Sequence, residues 1–107
     1  MKFKLIICAL FFVLIQGFAC SSDFVMGARY YIDREKWDEA ETYLLKEINI
    51  NPQSDEAYFL LGYVKAEKKE YKEMEIAFSK SLDISDRFKD KIEEAIIVYE
   101  RIKNETK

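Results

Sequence analysis

Histidine is missing from all 107 residues, and with it the commonest general base and the commonest metal ligand. Proline occurs once and glycine three times, too rarely for a collagenous or linker-like chain. There is no excess of basic residues either. With 17 Lys and Arg against 20 Asp and Glu, the net charge is −3, which disfavours nucleic acid as a partner because neutralising phosphates needs a basic surface. No glycine-rich phosphate loop, Gly-x-Ser-x-Gly turn or metal-spaced cluster occurs, so neither metal nor cofactor is expected. What remains is a chain that is half hydrophobic, 35% charged and 15% aromatic, the profile of a folded helical protein with room for one small domain.

The first twenty residues differ from the rest. Lys2 and Lys4 precede an uncharged run from Leu5 to Ile15, then Gln16-Gly17-Phe18-Ala19-Cys20, and no acidic residue appears before Asp23. A basic start, an apolar stretch of about 7–15 residues and small residues at a cut form the layout of a secretory signal. The run is shorter than the roughly 20 residues that span a bilayer. Cys20, directly after Ala19 and before Ser21-Ser22-Asp23, resembles the lipid-modified cysteine of a bacterial lipoprotein signal. Gly17 and Phe18 depart from the usual residues before that cysteine, and Gly17 with Ala19 equally suits ordinary cleavage after Ala19. The expectation is a cleaved signal over 1–19, a lipidated or flexible tether over 20–23, and a helical domain over 24–107. Removing Lys2 and Lys4 leaves 15 basic against 20 acidic residues, a net of −5. Cys8 leaves with the signal, so the exported chain has one cysteine and forms no internal disulfide. The implied location is a membrane face of the bacterial envelope, periplasmic or cell-surface, held by acyl chains at about 0.8 kcal/mol for each buried methylene.

Beyond the leader the chain repeats itself. A shift of 34 aligns Phe24 with Tyr58, Ala28 with Gly62, Trp37 with Tyr71, Leu44 with Phe78, and Ile48 with Leu82; a further shift carries Tyr58 to Ile92 and Val64 to Val98. Apolar residues recur at three- and four-residue steps within each unit, with breaks at Arg34-Glu35-Lys36 and Lys68-Lys69-Glu70, so each unit reads as two helices. Asn51-Pro52 ends the first unit, because the residue before proline is pushed out of the helical region. Ser54 or Asp55 caps the next helix, and Ser85 or Asp86 a last helix over about 87–104 that buries Ile92, Ala95, Ile96 and Tyr99.

These residues resemble the tetratricopeptide repeat, with units over about 21–54 and 55–88 and a partial third from 89. Phe24, Ala28, Trp37, Ala40, Leu44 and Pro52 match the family pattern in the first unit. Tyr58, Leu61, Gly62, Tyr71, Phe78 and Ser81 match it in the second. Glu47, Met74 and Asp86 depart where alanine-like residues and proline are the rule. The resemblance implies an all-α stack of two helical hairpins and a final helix, whose first helices line a concave face that binds peptides or protein segments. In family terms that face holds Val25, Arg29, Ile32 and Asp33, then Phe59, Tyr63, Ala66 and Glu67, then Glu93, Ile97, Glu100 and Arg101. Phe59 and Tyr63, one turn apart, are expected either to present an aromatic pair to a guest or to pack beneath the last helix. The basic clamp for a terminal carboxylate is not reproduced, since Val25 and Arg29 stand at its places.

Trp37, Leu44, Tyr71 and Phe78 read as ordinary core. The acidic residues Glu67, Glu70, Glu73 and Glu75 alternate with lysines, the pattern of a solvated helix surface. The resulting expectation is a non-catalytic protein-interaction module at an envelope membrane. A structural accessory subunit docking through its C-terminal helix is the first alternative, and a hydrolase using paired carboxylates the second. With about two and a half units, where stacked arrays usually need about three, an incompletely covered end and self-association through the final helix are expected as well.

Overall fold

The computed structural model describes residues 22–105 as five α-helices, with no strand among the described residues. They are α1 (Asp23–Asp33), α2 (Trp37–Ile50), α3 (Asp55–Glu67), α4 (Tyr71–Ile84) and α5 (Lys89–Glu105). The signal segment over 1–19 and Cys20 lie outside the described residues.

Local chemistry sets similar boundaries twice, the first helices starting 32 residues apart and ending 34 apart. Ser22 caps α1 by accepting a hydrogen bond from the Val25 amide at 3.1 Å, and Ser54 caps α3 by accepting one from Ala57 at 3.2 Å. A serine cap contributes about 0.5–2 kcal/mol. At their far ends α1 and α3 close through left-handed residues, Glu35 at φ 56° and Lys69 at φ 64°. Glu35 N donates to Ile32 O and Lys36 N to Tyr31 O, both at 2.9 Å; Lys69 N donates to Ala66 O at 2.9 Å and Glu70 N to Lys65 O at 2.8 Å. This is the doubly bonded C-terminal turn that lets a chain reverse within a short connection. The second helices then begin at Trp37 and Tyr71 and end at Ile50 and Ile84, so one and the same shift relates both of their ends. The period read in the side chains is therefore also a period of the backbone.

The hairpin α1–α2 packs on the hairpin α3–α4 through α2 and α3, and α5 lies against α3 and α4. One apolar cluster runs from Val25 and Ala28 through Ala40 and Leu44 to Ala57, Leu61 and Val64. A second joins Ala66, Met74 and Phe78 to Ile92 and Tyr99 of α5. Leu44 and Phe78 are fully buried, while Trp37 and Tyr71 are half-buried at the margins of the two clusters. Close approach within each hairpin needs a glycine. A Cβ on Gly27 would stand 2.8 Å from the Tyr43 ring, and one on Gly62 would run into the Phe78 ring.

One departure from the regular repeat has a local explanation. Glu47, at a place where a small residue is the rule, is buried at 3% exposure and accepts a hydrogen bond from Ser22 Oγ. Its counterpart Ser81 donates from Oγ to the Asp55 carbonyl at 2.9 Å. Each unit thus ties the end of its second helix to the start of its first. Ser22 and Asp23, expected in a tether, consequently belong to the folded body, as cap and first helical residue. The last helix begins later than expected, at Lys89. Asp55 holds the preceding segment: it accepts from Ser85 Oγ at 2.7 Å and from Arg87 at 2.8 and 3.1 Å, and Ser85 is extended at φ −160°.

Candidate interaction surface

The residues assigned to the concave face separate into three groups. Val25 is a core residue at 2% exposure, because it shares one side of α1 with Ala28, one turn on. It therefore presents nothing to a guest. Ile32 is half-buried against the same core.

The aromatic pair on α3 is occupied from within. The Phe59 ring stacks on Phe88 with centroids 4.6 Å apart and planes 5° from parallel, and also faces Phe78 at 6.1 Å. Tyr63 meets Trp37 edge-on at 6.0 Å and Tyr99 at 6.4 Å. Tyr99 donates its hydroxyl to Glu67 Oε1 at 2.5 Å. The expectation of a free aromatic pair is thus corrected. Phe88, which precedes α5, and Tyr99, which lies on it, cover the two rings, and Glu67 serves as acceptor for the Tyr99 hydroxyl. Burial, together with the Glu67 carboxylate, pushes the Tyr99 phenol well above its ordinary range and Tyr63 above its own.

What faces solvent is the third group. Arg29 is exposed and pairs with Glu56 of α3, with Nε 3.1 Å from Oε1. On α5, Arg101 is exposed, Ile97 is 61% exposed and its neighbour Val98 is 50% exposed. Val98 is informative because its counterpart one unit earlier, Val64, is fully buried. α5 therefore does not repeat the seating of α3. It turns Ile92 and Tyr99 inward and leaves the Ile97 and Val98 sides outward.

Between the hairpins lies an ionic cluster that the helix-surface reading missed. Lys65 pairs with Glu41 of α2 and, at 3.2 Å, with Glu70; Lys68 pairs with Asp38 at 2.8 Å and Glu41 at 3.4 Å. Glu41 Oε1 and Glu70 Oε2 are buried without a directed hydrogen bond, yet both lie against the Lys65 ammonium, which compensates their charge. The adjacent Glu41 carboxylate raises the Lys65 pKa against the opposing effect of burial, Asp38 does the same for Lys68, and Lys68 in turn lowers Asp38. Pairing between helices so distant along the chain was invisible to a search for neighbours three and four apart. The carboxylates that converge here, Glu41 and Glu70, meet on a lysine. Among the described residues no group of His, Cys, Asp or Glu is arranged to hold a metal ion, and no helix is long and apolar enough to cross a membrane.

Comparison of the chain with protein-family models, with curated proteins and with solved structures returns no match.

Proposed function

We propose that this chain is an exported, lipid-anchored protein of the bacterial envelope, whose body is a short tetratricopeptide-type array acting as a non-catalytic protein-interaction module. The observation that carries the reading is that one repeat period of 34 relates both hairpins: the ends of the first helices, both bounds of the second helices and the left-handed turn residues recur at it, and each unit also ties its second helix back to the start of its first. Stacked helix pairs of this kind present extended surfaces made of many side chains and characteristically bind other proteins. The anchor rests on Lys2, Lys4, the apolar run and Cys20.

Within that function, contact through α5 is favoured over contact through the α3 aromatics, because Ile97 and Val98 are open while Phe59 and Tyr63 are covered. An accessory subunit docking by its final helix is the form this takes. Photo-crosslinking side chains placed at Ile97, Val98 and Arg29 in the native membrane test it. A single protein adduct at Ile97 or Val98 and none at Arg29 supports docking through α5, an adduct at Arg29 restores the concave face, and no adduct at any of the three removes the interaction reading. Mass spectrometry of the mature N-terminus tests the anchor: acylated Cys20 supports it, and an unmodified Cys20 or a retained leader refutes it.

A further inference from the structure

The two hairpins differ at one equivalent place, and the difference leaves an opening. In the first, Gly27 makes room for the Tyr43 ring, which lies 6.3 Å from Phe24 and 5.4 Å from Tyr31. The Lys46 ammonium stands 5.2 Å from the centre of that ring. One unit further along, Leu61 replaces Gly27 and Ala77 replaces Tyr43, while Tyr58 and Lys80 stand where Phe24 and Lys46 stood. The side chain that filled the space is gone. Leu61 takes up part of it, and a cleft of about 170 Å³ remains between α3 and α4, open to solvent. Its floor is Leu61 and Ala77, and its walls are Tyr58 and Ile76. Ile76, which replaces Thr42, is 50% exposed and adds an apolar wall, while Lys65 stands where Tyr31 did and Glu73 completes the lining.

Size and charge decide what fits. An apolar cavity of about 150 Å³ holds one benzene ring, so this cleft has room for one six-membered ring. The Lys80 ammonium lies 5.6 Å from the ring centre of Tyr58, the counterpart of Phe24, and also lines the cleft, whereas Lys46 stands by Tyr43 itself. A cation at that position is attracted to the face of an entering aromatic ring and has no comparable attraction for an aliphatic side chain. Tyr58 supplies a second ring for edge contact. Lys65, the other cation of the lining, is already neutralised by Glu41 and Glu70.

We infer that the cleft between α3 and α4 is a docking site for a single tyrosine or phenylalanine side chain of a protein partner, which occupies in the second hairpin the place that Tyr43 occupies in the first. That a protein carries the ring rests on the interaction-module reading. The preference of the cleft for a ring does not, and it involves neither α5 nor the N-terminal anchor.

Methyl NMR of the full chain, titrated with N-acetyltyrosinamide and with N-acetylleucinamide as the aliphatic control, tests the inference. Saturable shifts of the Leu61 and Ile76 methyl signals are expected with the tyrosine amide, with a dissociation constant on the order of 1 mM for so small a ligand. The leucine amide should bind at least about fivefold more weakly, reflecting the cation and ring contacts it lacks. The double variant Leu61→Gly/Ala77→Tyr recreates the pair of the first hairpin and should abolish the Ile76 shift with the helical signal retained. Ile76→Ala, at an exposed position, provides the readout if the double variant does not fold, and should weaken binding several-fold. Absence of shifts, equal response to both amides, or unchanged binding by both variants overturns the proposal. Shifts that depend on protein concentration alone and vanish in Tyr30→Ala, which removes a tyrosine of this chain that is 52% exposed, also overturn it, by making a second copy of the chain the occupant.

Discussion

Replacing Glu35 and Lys69 with glycine should stabilise the protein, although both substitutions remove a charged side chain and insert the poorest helix former short of proline. Both residues stand at positive φ, 56° and 64°, directly after α1 and α3. That conformation costs an L-residue about 1–2 kcal/mol, because its Cβ crowds the following carbonyl. Glycine escapes this cost but loses about 0.5–1 kcal/mol more chain entropy on folding. The net expectation is a gain of about 0.5–1 kcal/mol at each site. The sites belong to different hairpins, so the gains should add. For a domain of this size each kcal/mol moves the midpoint by roughly 4–8 °C, well within the reach of thermal unfolding followed by far-ultraviolet circular dichroism. Asp33→Gly, slightly earlier at the exposed last position of α1, should instead destabilise by about 0.5–1 kcal/mol. Destabilisation by Glu35→Gly or Lys69→Gly, or a gain at one site with a loss at the other, would refute the equivalence of the two turns.

Acid and base test two other parts of the fold. Burial opposes ionisation of Asp55, but hydrogen bonds from Ser85 and Arg87 outweigh it and hold the carboxyl below its ordinary value of 3.8. The unfolded chain therefore takes up this proton first, and stability present above about pH 4 is lost as pH falls through the folded-state value. Urea titrations of Asp55→Asn should show lower stability at pH 7 and a shallower acid loss; an unchanged acid slope would count against the tie. The Tyr99 phenol is shifted upward, so the unfolded chain gives up its proton first and stability declines as pH rises above the ordinary value of 10.0. Tyr99→Phe should cost about 1–3 kcal/mol near neutrality, because it leaves the half-buried Glu67 without its donor, and should flatten the alkaline decline. Parallel loss in both proteins above pH 10 would contradict this.

Much of the architecture was legible in the chain. The breaks at residues 34–36 and 68–70 fall where α1 and α3 end, Trp37 and Tyr71 open the second helices, and Asn51 closes α2. These are local decisions, set by turn chemistry and by apolar residues three and four apart. Val25 was also readable in principle, since its spacing from Ala28 puts both on the buried side of α1. The buried side of α5 was legible too, since Ile92 and Tyr99 are buried and Ala95 and Ile96 pack against them as their spacing predicts. What the pattern did not show is that Phe88 would stack on Phe59 and Tyr99 bond Glu67, because these pairings join residues about 30 apart. The exchange of Gly27 and Tyr43 for Leu61 and Ala77 lies in plain view once the units are aligned. Its consequence depends on how far Leu61 fills the space, which no periodicity states.

The most direct measurement is of ring-to-glycine proton contacts within each hairpin, by nuclear Overhauser spectroscopy on the full chain. Two helical hairpins, each closed by a glycine under a ring at neighbouring rather than equivalent places, predict contacts from Gly27 to the Tyr43 ring and from Gly62 to the Phe78 ring, with helical shifts interrupted at 34–36 and again at 68–70. Uninterrupted helical shifts across either turn, or one glycine contact without the other, would contradict it.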